Sequence, residues 1–316
     1  VFETMRRLNL LDRVAEEAIG RDKYAGLPLG VRAFLRILVH ESSVGQRRHI
    51  NALKYVKAAR EILGWNTLHP VEQHLGKILN TEATSVLRGL PEVERTALRL
   101  YAPEWLVIYA SRLLGRAEAL AFLRSLSTSP PTYVRLNSLK QTPQSVSERL
   151  GQAGFDLTEV ASIRGLYRLS RGELPVTGTE VFKEGLVSTE DLPTAYAVEN
   201  SGVTEDALVL DICAAPGVKT AHMAQLMDNK GVICSVELSR QRAGVWKDEM
   251  RRMGVRNAIV VVADATEAMP SDAEFDIVVV DPPCSRIGTW ARDPNAKWMS
   301  SPEAVSRYAS TQWKIL

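Results

Sequence analysis

The chain has 316 residues, 45% of them hydrophobic and 24% charged, with a net charge of only +2. That length accommodates two or three domains with substantial cores, and the composition is that of a soluble globular protein. No apolar run reaches the ~18 residues of a membrane span, no signal peptide is expected at the start, and Val1 in place of Met suggests a processed or trimmed beginning.

Charge is unevenly spread. Residues 1–130 hold 19 Lys and Arg against 13 Asp and Glu, whereas 131–316 hold 20 against 24. A basic front joined to a mildly acidic rear points to a polyanion held by the front, although ordinary solvated helix faces account for the charge equally well. The front reads as helices throughout. "VFETMRRLNLLDRVAEEAI" sets Phe2, Met5, Leu8, Leu11 and Val14 at helical spacing. "GVRAFLRILVHES", "HINALKYVKAAREILG", "VERTALRLYA" and "EWLVIYASRLLG" continue the pattern, punctuated by Gly and Pro. An all-α bundle over 1–128 is the expectation. Its densest basic run is "GQRRH" and the helix after it: Arg47, Arg48, His49, Lys54, Lys57 and Arg60. The last three are spaced by threes and so share a face.

"STSPPTYVRLNSLK" (127–140) breaks the helical period. Pro130 and Pro131 punctuate it, and "TYVRLN" alternates as a strand does. Short strands around a helix near "TPQSVSERLGQAG" predict a small α+β module over 129–188. From 189 the rhythm becomes strand, loop, helix. "ALVLDI", "GVICSVEL", "AIVVVA" and "FDIVVVD" are the strands, and the helices between them imply a parallel, doubly wound, Rossmann-like α/β sheet.

Loops at the carboxyl ends of such strands hold the ligands. "DICAAPGVKT" (211–220) joins the first of these strands to its helix. Its small residues let backbone approach a ligand, and the helix start favours anionic groups. It is neither G-x-G-x-x-G nor a P-loop, which weakens dinucleotide and nucleoside triphosphate readings. Glu237 ends the second strand, where a carboxylate can accept from both ribose hydroxyls. Asp264 ends the third, where it can accept from an adenine amino group, and Asp281 ends the fourth. A small-residue loop and acids at successive strand ends describe a pocket for S-adenosylmethionine. Capping acids are the structural alternative for any one of them alone.

These residues resemble the RsmB/Nop2/Sun family of RNA cytosine-5 methyltransferases. The shared stretches are "LDICAAPGVKT", "VDPPCSRIGTWARDPNAKW" and "PPTYVRLNSLK". The resemblance implies a NusB-like RNA-binding domain over 1–128, an RRM-like module over 129–188, and an S-adenosylmethionine-dependent methyltransferase domain over 189–316. It places Cys213, Ala214, Ala215, Pro216, Gly217, Val218 and Lys219 along the cofactor's methionine, Glu237 at its ribose and Asp264 at its adenine. Asp281 and Lys219 then lie by the target cytosine. In the front and the module, Arg47, Arg48, Lys54, Lys57, Arg60, Arg135 and Asn137 are the expected RNA contacts. No metal or membrane is implied, and a cytoplasmic monomer acting on RNA, ribosomal rather than transfer, is the expectation. Val218 departs from the family, which usually has a second glycine there. A β-branched residue tolerates φ > 0 poorly, so either the loop differs locally or this position never needs the glycine conformation.

Cys284 follows Pro282 and Pro283, which stop the fourth strand and stiffen the approach. Carbon 5 of cytosine is a poor nucleophile until a thiolate adds at carbon 6, so a thiol near the cofactor suits that chemistry. An amino-group methyltransferase would instead put an aromatic after the prolines. Geometry alone leaves open whether Cys284 attacks. The resemblance makes it the residue that assists product release, with the attacking cysteine in a later "TCS" motif after a "KPGG" turn. Neither motif occurs in these residues. The expectation is therefore a fragment, or part of a longer chain, that does not turn over by itself, with "FDIVVVD" left as a hydrophobic sheet edge. A non-catalytic RNA-binding protein of methyltransferase-like fold is the rival reading. A small-molecule methyltransferase is opposed by the basic front.

Overall fold

The computed structural model describes residues 1–44, 52–172, 175–267 and 273–316. Two compact units emerge: Val1–Pro130 with Arg286–Pro302, and Pro131–Ser285 with Glu303–Leu316. This corrects the expected division into three consecutive segments in two ways. The small α+β module shares a unit with the parallel sheet, and residues 286–302 leave the methyltransferase segment for the helical unit.

The first unit contains α1 (Phe2–Arg6), α2 (Leu8–Ile19), α3 (Arg21–Ala25), α4 (Leu29–Val39), α5 (Ala52–Leu63), α6 (Trp65–Glu72), α7 (Leu75–Asn80), α8 (Glu92–Arg99), α9 (Glu104–Leu114) and α10 (Arg116–Ser125). The α2 stripe that turns inward is Leu10, Leu11, Val14, Ala15, Ala18 and Ile19, the i, i+3/i+4 pattern of a core-facing helix. It packs with Leu35 and Leu38 of α4, Leu68 of α6 and Ile78 of α7. Arg7, at φ −105°, separates α1 from α2, so the expected single helix is two, and Phe2 remains half exposed.

A second core cluster of this unit gathers Leu106, Val107 and Leu123 around Trp290, which is 1% exposed. Trp290 belongs to the 286–302 excursion. Arg6 donates to the Ala291 carbonyl (2.8 Å), Trp298 Nε1 to Met5 O (2.7 Å), and Lys297 Nζ to Arg6 O (2.7 Å) and Tyr101 O (2.5 Å). The Lys297 amine also lies over the Trp298 ring at 4.6 Å, and burial pulls it down to about 7.

The second unit opens with β1 (Thr132–Leu136), α11 (Pro143–Gln152), β2 (Phe155–Glu159), β3 (Leu166–Arg171), α12 (Glu180–Lys183) and β4 (Val187–Thr189). The strands form an antiparallel sheet in the order β2-β3-β1-β4, a split βαβ arrangement. After α13 (Leu192–Glu199) come β5 (Leu208–Ile212), α14 (Val218–Leu226), β6 (Val232–Glu237), α15 (Arg240–Met253), β7 (Ala258–Val262) and β8 (Ile277–Val280). These strands are parallel, in the order β7-β6-β5-β8. Among the described residues β8 is one edge of this sheet, and Val278 is 52% exposed. The short α16 (Pro294–Met299) lies in the excursion, and α17 (Pro302–Ile315) returns to the second unit, where Ile315 packs near Leu210 and Ile212.

Candidate active site

The chain winds from β5 to β6 on one side and places β8 on the other, so the strand order reverses between β5 and β8. The crevice outside their carboxyl ends is where a doubly wound sheet takes its ligand. Register brings two of the expected acids, Glu237 and Asp281, to one level, whereas Asp264 lies two residues past Val262, the last residue of β7. Ile212 is opposite both Val236 and Val280, and Glu237 is opposite Val262. Cys213, Glu237, Ala263 and Asp281 are therefore the first residues beyond or at that level. Lys219, in the first turn of α14, forms an ion pair with Asp281 across the crevice.

The loop after β5 is held by its backbone. Ala214 N–H donates to Val236 O (3.1 Å), Ala215 N–H to Glu237 Oε2 (3.3 Å), and Arg242 donates to Ala215 O (2.5 Å). Cys213 has φ +62°, and Gly217 has φ +109°. A Cβ on Gly217 would meet Met250 Cε at 2.7 Å and Trp246 Cδ1 at 3.1 Å, so only glycine fits, for both conformation and space. Val218 begins α14 in ordinary helical conformation. The position never needed glycine, and the departure noted in the sequence carries no backbone strain.

Glu237 is buried, and its two oxygens also accept from Ala215 N and Ser239 N (3.1 Å). A carboxylate offers roughly four acceptor positions, so capacity remains for ribose hydroxyls. Asp264 is exposed, with Oδ1 accepting the Thr266 amide (2.9 Å) and hydroxyl (2.7 Å). Those bonds hold its carboxyl below the usual range. Burial, with Glu237 next, raises the Cys213 thiol, and burial raises that of Cys234. Both are therefore poorly disposed to act as thiolates. Cys284 lies exposed beyond Pro283, whose carbonyl accepts from Gln312 of α17 (2.9 Å).

Sequence reading passed over the support beneath the loop. Asp211, fully buried in β5, accepts from Thr220 Oγ1 (2.6 Å), and Thr220 in turn accepts from Trp246 Nε1 (3.0 Å). Its Oδ1 is buried with no hydrogen-bond partner, and burial pushes the carboxyl up to about 6. An acid inside the apolar run "LVLDI" was the available signal.

Several expected RNA contacts require correction. Asn137 is wholly buried, with its amide donating to Gly185 O and Met253 O, both at 2.7 Å. Arg135 is 5% exposed and donates to Arg164 O (3.1 Å). Asn137 ties the antiparallel module to the end of α15, and Arg135 bonds within the module. Both faces of the chain here are covered, since Val134 and Leu136 are buried as well, so neither side chain is available to a polyanion. Arg60 forms a two-pronged pair with Glu72 (2.6 and 2.8 Å) and stacks on Trp65, so its charge is already matched. Lys54 and Lys57 are exposed, whereas Arg47, Arg48 and His49 lie outside the described residues.

Residues 201–316 match the family described as 16S rRNA methyltransferase RsmB/F. The chain is 30% identical over 226 residues to a probable ribosomal RNA small subunit methyltransferase B of Bacillus subtilis, covering 71% of this chain and 50% of that protein. A tRNA (cytosine(72)-C(5))-methyltransferase of Pyrococcus horikoshii is 29% identical over 52% of this chain and 44% of its own length. The crystal structure of PH0851 superposes with a TM-score of 0.80 at 24% identity, over 99% of this chain and 71% of that one, and shows the same fold. The chain spans about half the length of the curated relatives it matches. The small-residue loop, the buried acid at the end of β6 and the Lys–Asp pair at the switch point of the parallel sheet all lie in residues 201–316, the part of the chain that matches the RsmB/F methyltransferase family.

Proposed function

We propose that the chain is part of an enzyme that transfers a methyl group from S-adenosylmethionine to carbon 5 of cytosine in RNA, ribosomal rather than transfer. The observation that carries this reading is the Lys219–Asp281 pair spanning the β5/β8 crevice beside the Gly217 loop. The remaining acceptor capacity of the buried Glu237 carboxylate fits the bound cofactor. Cys213–Lys219 would line its methionine, Glu237 its ribose and Asp264 its adenine, and the bound cofactor supplies an electrophilic methyl group.

Asp281 is half exposed and faces the crevice mouth with Lys219. Its carboxylate accepts from the cytosine amino group, and the ion pair with Lys219 orients that carboxylate. A thiolate adding to carbon 6 makes carbon 5 nucleophilic. After methylation, loss of the carbon 5 proton expels the thiolate and restores the ring. Cys284, exposed and three residues beyond Asp281, assists that release. The helical unit is NusB-like and holds the RNA, the split βαβ module is RRM-like, and the protein acts in the cytoplasm. Among the described residues no cluster of His, Cys, Asp or Glu is arranged to hold a metal ion, and no helix is long and apolar enough to cross a membrane.

The test is methyl transfer from labelled S-adenosylmethionine to ribosomal and transfer RNA, with the modified base mapped by bisulfite sequencing. Label at cytosine carbon 5 of ribosomal RNA is the expected result, and label elsewhere overturns the reading. In a chain carrying the second cysteine, Cys284→Ala should accumulate a denaturant-resistant RNA adduct, and loss of the adduct would make Cys284 the attacking group.

A further inference from the structure

The helical unit contains a concave pocket of about 330 Å³ whose walls come from α8 and α10. Four arginines line it: Arg95 and Arg99 on α8, Arg116 and Arg124 on α10. One carboxylate, Glu92, is opposed to them and is paired with Arg116. Among the described residues Arg95, Arg99 and Arg124 have no carboxylate partner. Elsewhere in the same unit Arg36 is matched by Asp12 and Arg60 by Glu72, while Arg32, Arg88 and Arg112 also have no carboxylate partner among the described residues, so what sets Arg95, Arg99 and Arg124 apart is their convergence on one pocket.

The spacing gathers them. Arg95 and Arg99 are four apart, one turn of α8, and Arg116 and Arg124 are two turns apart with Leu120 between them in the pocket wall. Like charges at i, i+4 disfavour a helix by a few tenths of a kcal/mol, and no acid relieves the Arg95–Arg99 pair. The volume is about ten times a water molecule's share of the liquid, enough for more than a lone ion. Guanidinium forks match phosphate oxygens in pairs, and the apolar wall at Leu120 suits the ribose face beside a phosphodiester.

We infer that the α8/α10 pocket binds phosphates of the RNA backbone. This rests on the RNA reading above and moves its main anchor away from the α5 run, where Arg60 is already paired. Contacts of this kind position the nucleic acid and make affinity salt-dependent, without reading sequence.

The test uses the full chain and a fluorescent ribosomal RNA hairpin, titrated at several salt concentrations. The triple variant Arg95→Gln, Arg99→Gln, Arg124→Gln should lose roughly ten- to hundredfold in affinity, and its log K against log salt slope should flatten by about two, at ~0.7 for each phosphate no longer held. Glu92→Gln, which frees Arg116, should bind severalfold more tightly. The corresponding triple Lys variant should keep the wild-type salt slope, and S-adenosylmethionine affinity should be unchanged in all of them. Unchanged RNA affinity and slope in the Gln variant overturn the pocket alone. A Lys variant as weak as the Gln variant, or no gain from Glu92→Gln, overturns its electrostatic basis. Inorganic tripolyphosphate is the second probe. If the Gln variant loses tripolyphosphate but binds RNA as wild type does, the ligand is a free polyphosphate and the RNA assignment falls. Wild-type protein with no RNA affinity at any salt removes the proposed function as well.

Discussion

The exits of β5 and β8 lie side by side at the same crevice yet are built differently. Beyond β5, the loop is pinned by Ala214, Ala215 and Arg242 hydrogen bonds and packed on Trp246 and Met250, with a buried Asp–Thr–Trp chain beneath. Beyond β8, Asp281, Pro283 and Cys284 are exposed. The chain here is steadied by two prolines, by the Asp281 amide on Ile212 O (3.4 Å) and by Gln312 on the Pro283 carbonyl. A loop pinned and packed in this way is preorganised, whereas a segment held by few bonds can adjust. The first exit therefore tolerates little change, and the second tolerates much.

Gly217→Ala should break the first exit most. It adds a methyl group within 2.7 Å of Met250 at a φ of +109°, and overpacking with backbone strain together cost about 2–5 kcal/mol. A thermal melt and a calorimetric titration with S-adenosylmethionine measure both losses. Wild-type stability and affinity in this variant would mean that the loop is not preorganised.

Asp211→Asn sharpens the contrast through pH. Burial raises the Asp211 carboxyl from 3.8 to about 6, so the folded state takes up its proton before the unfolded chain does. The stability this group contributes is fully present below about pH 4 and is lost as pH rises through about 6. A neutral amide removes that dependence. Between pH 4 and 7 the variant's stability should vary less than the wild type's by about 2–3 kcal/mol, read from melts at matched ionic strength. Parallel profiles would show that Asp211 does not titrate in this window.

Cys284→Ser is the smallest expected change, within about 0.5 kcal/mol, because an exposed side chain leaves little packing to lose. A drop of several kcal/mol in chemical denaturation would show that the second exit is as tightly built as the first.

The loop after β5 and the strand ends around it were legible in the sequence because strand ends, small residues and acids are local signals. "VLDICAAPG" places its loop by the period of the strand before it, and Gly217 and the Val218 helix start lie where that reading puts them. Arg135 and Asn137 were misread because alternation implies one covered and one open face, whereas both are covered here: Val134 and Leu136 are as buried as Arg135 and Asn137. Both point inward, against the backbone of Arg164 and of Gly185 and Met253.

The order of helices and strands, the loop after β5 and the acids at the strand ends were determined by the sequence alone, since period and punctuation act over a few residues. Which arginines remain available to a polyanion was decided only by the tertiary structure. Arg60 meets Glu72 twelve positions on, while Arg95, Arg99 and Arg124 meet across a pocket from helices separated by α9. The packing of helices sets such pairings, and no local pattern records it. The same holds for the 286–302 excursion, which buries Trp290 and Lys297 among residues of the helical unit far away in the chain, such as Leu106 and Tyr101. Its docking depends on a cavity and carbonyls that exist only once the helical unit has folded.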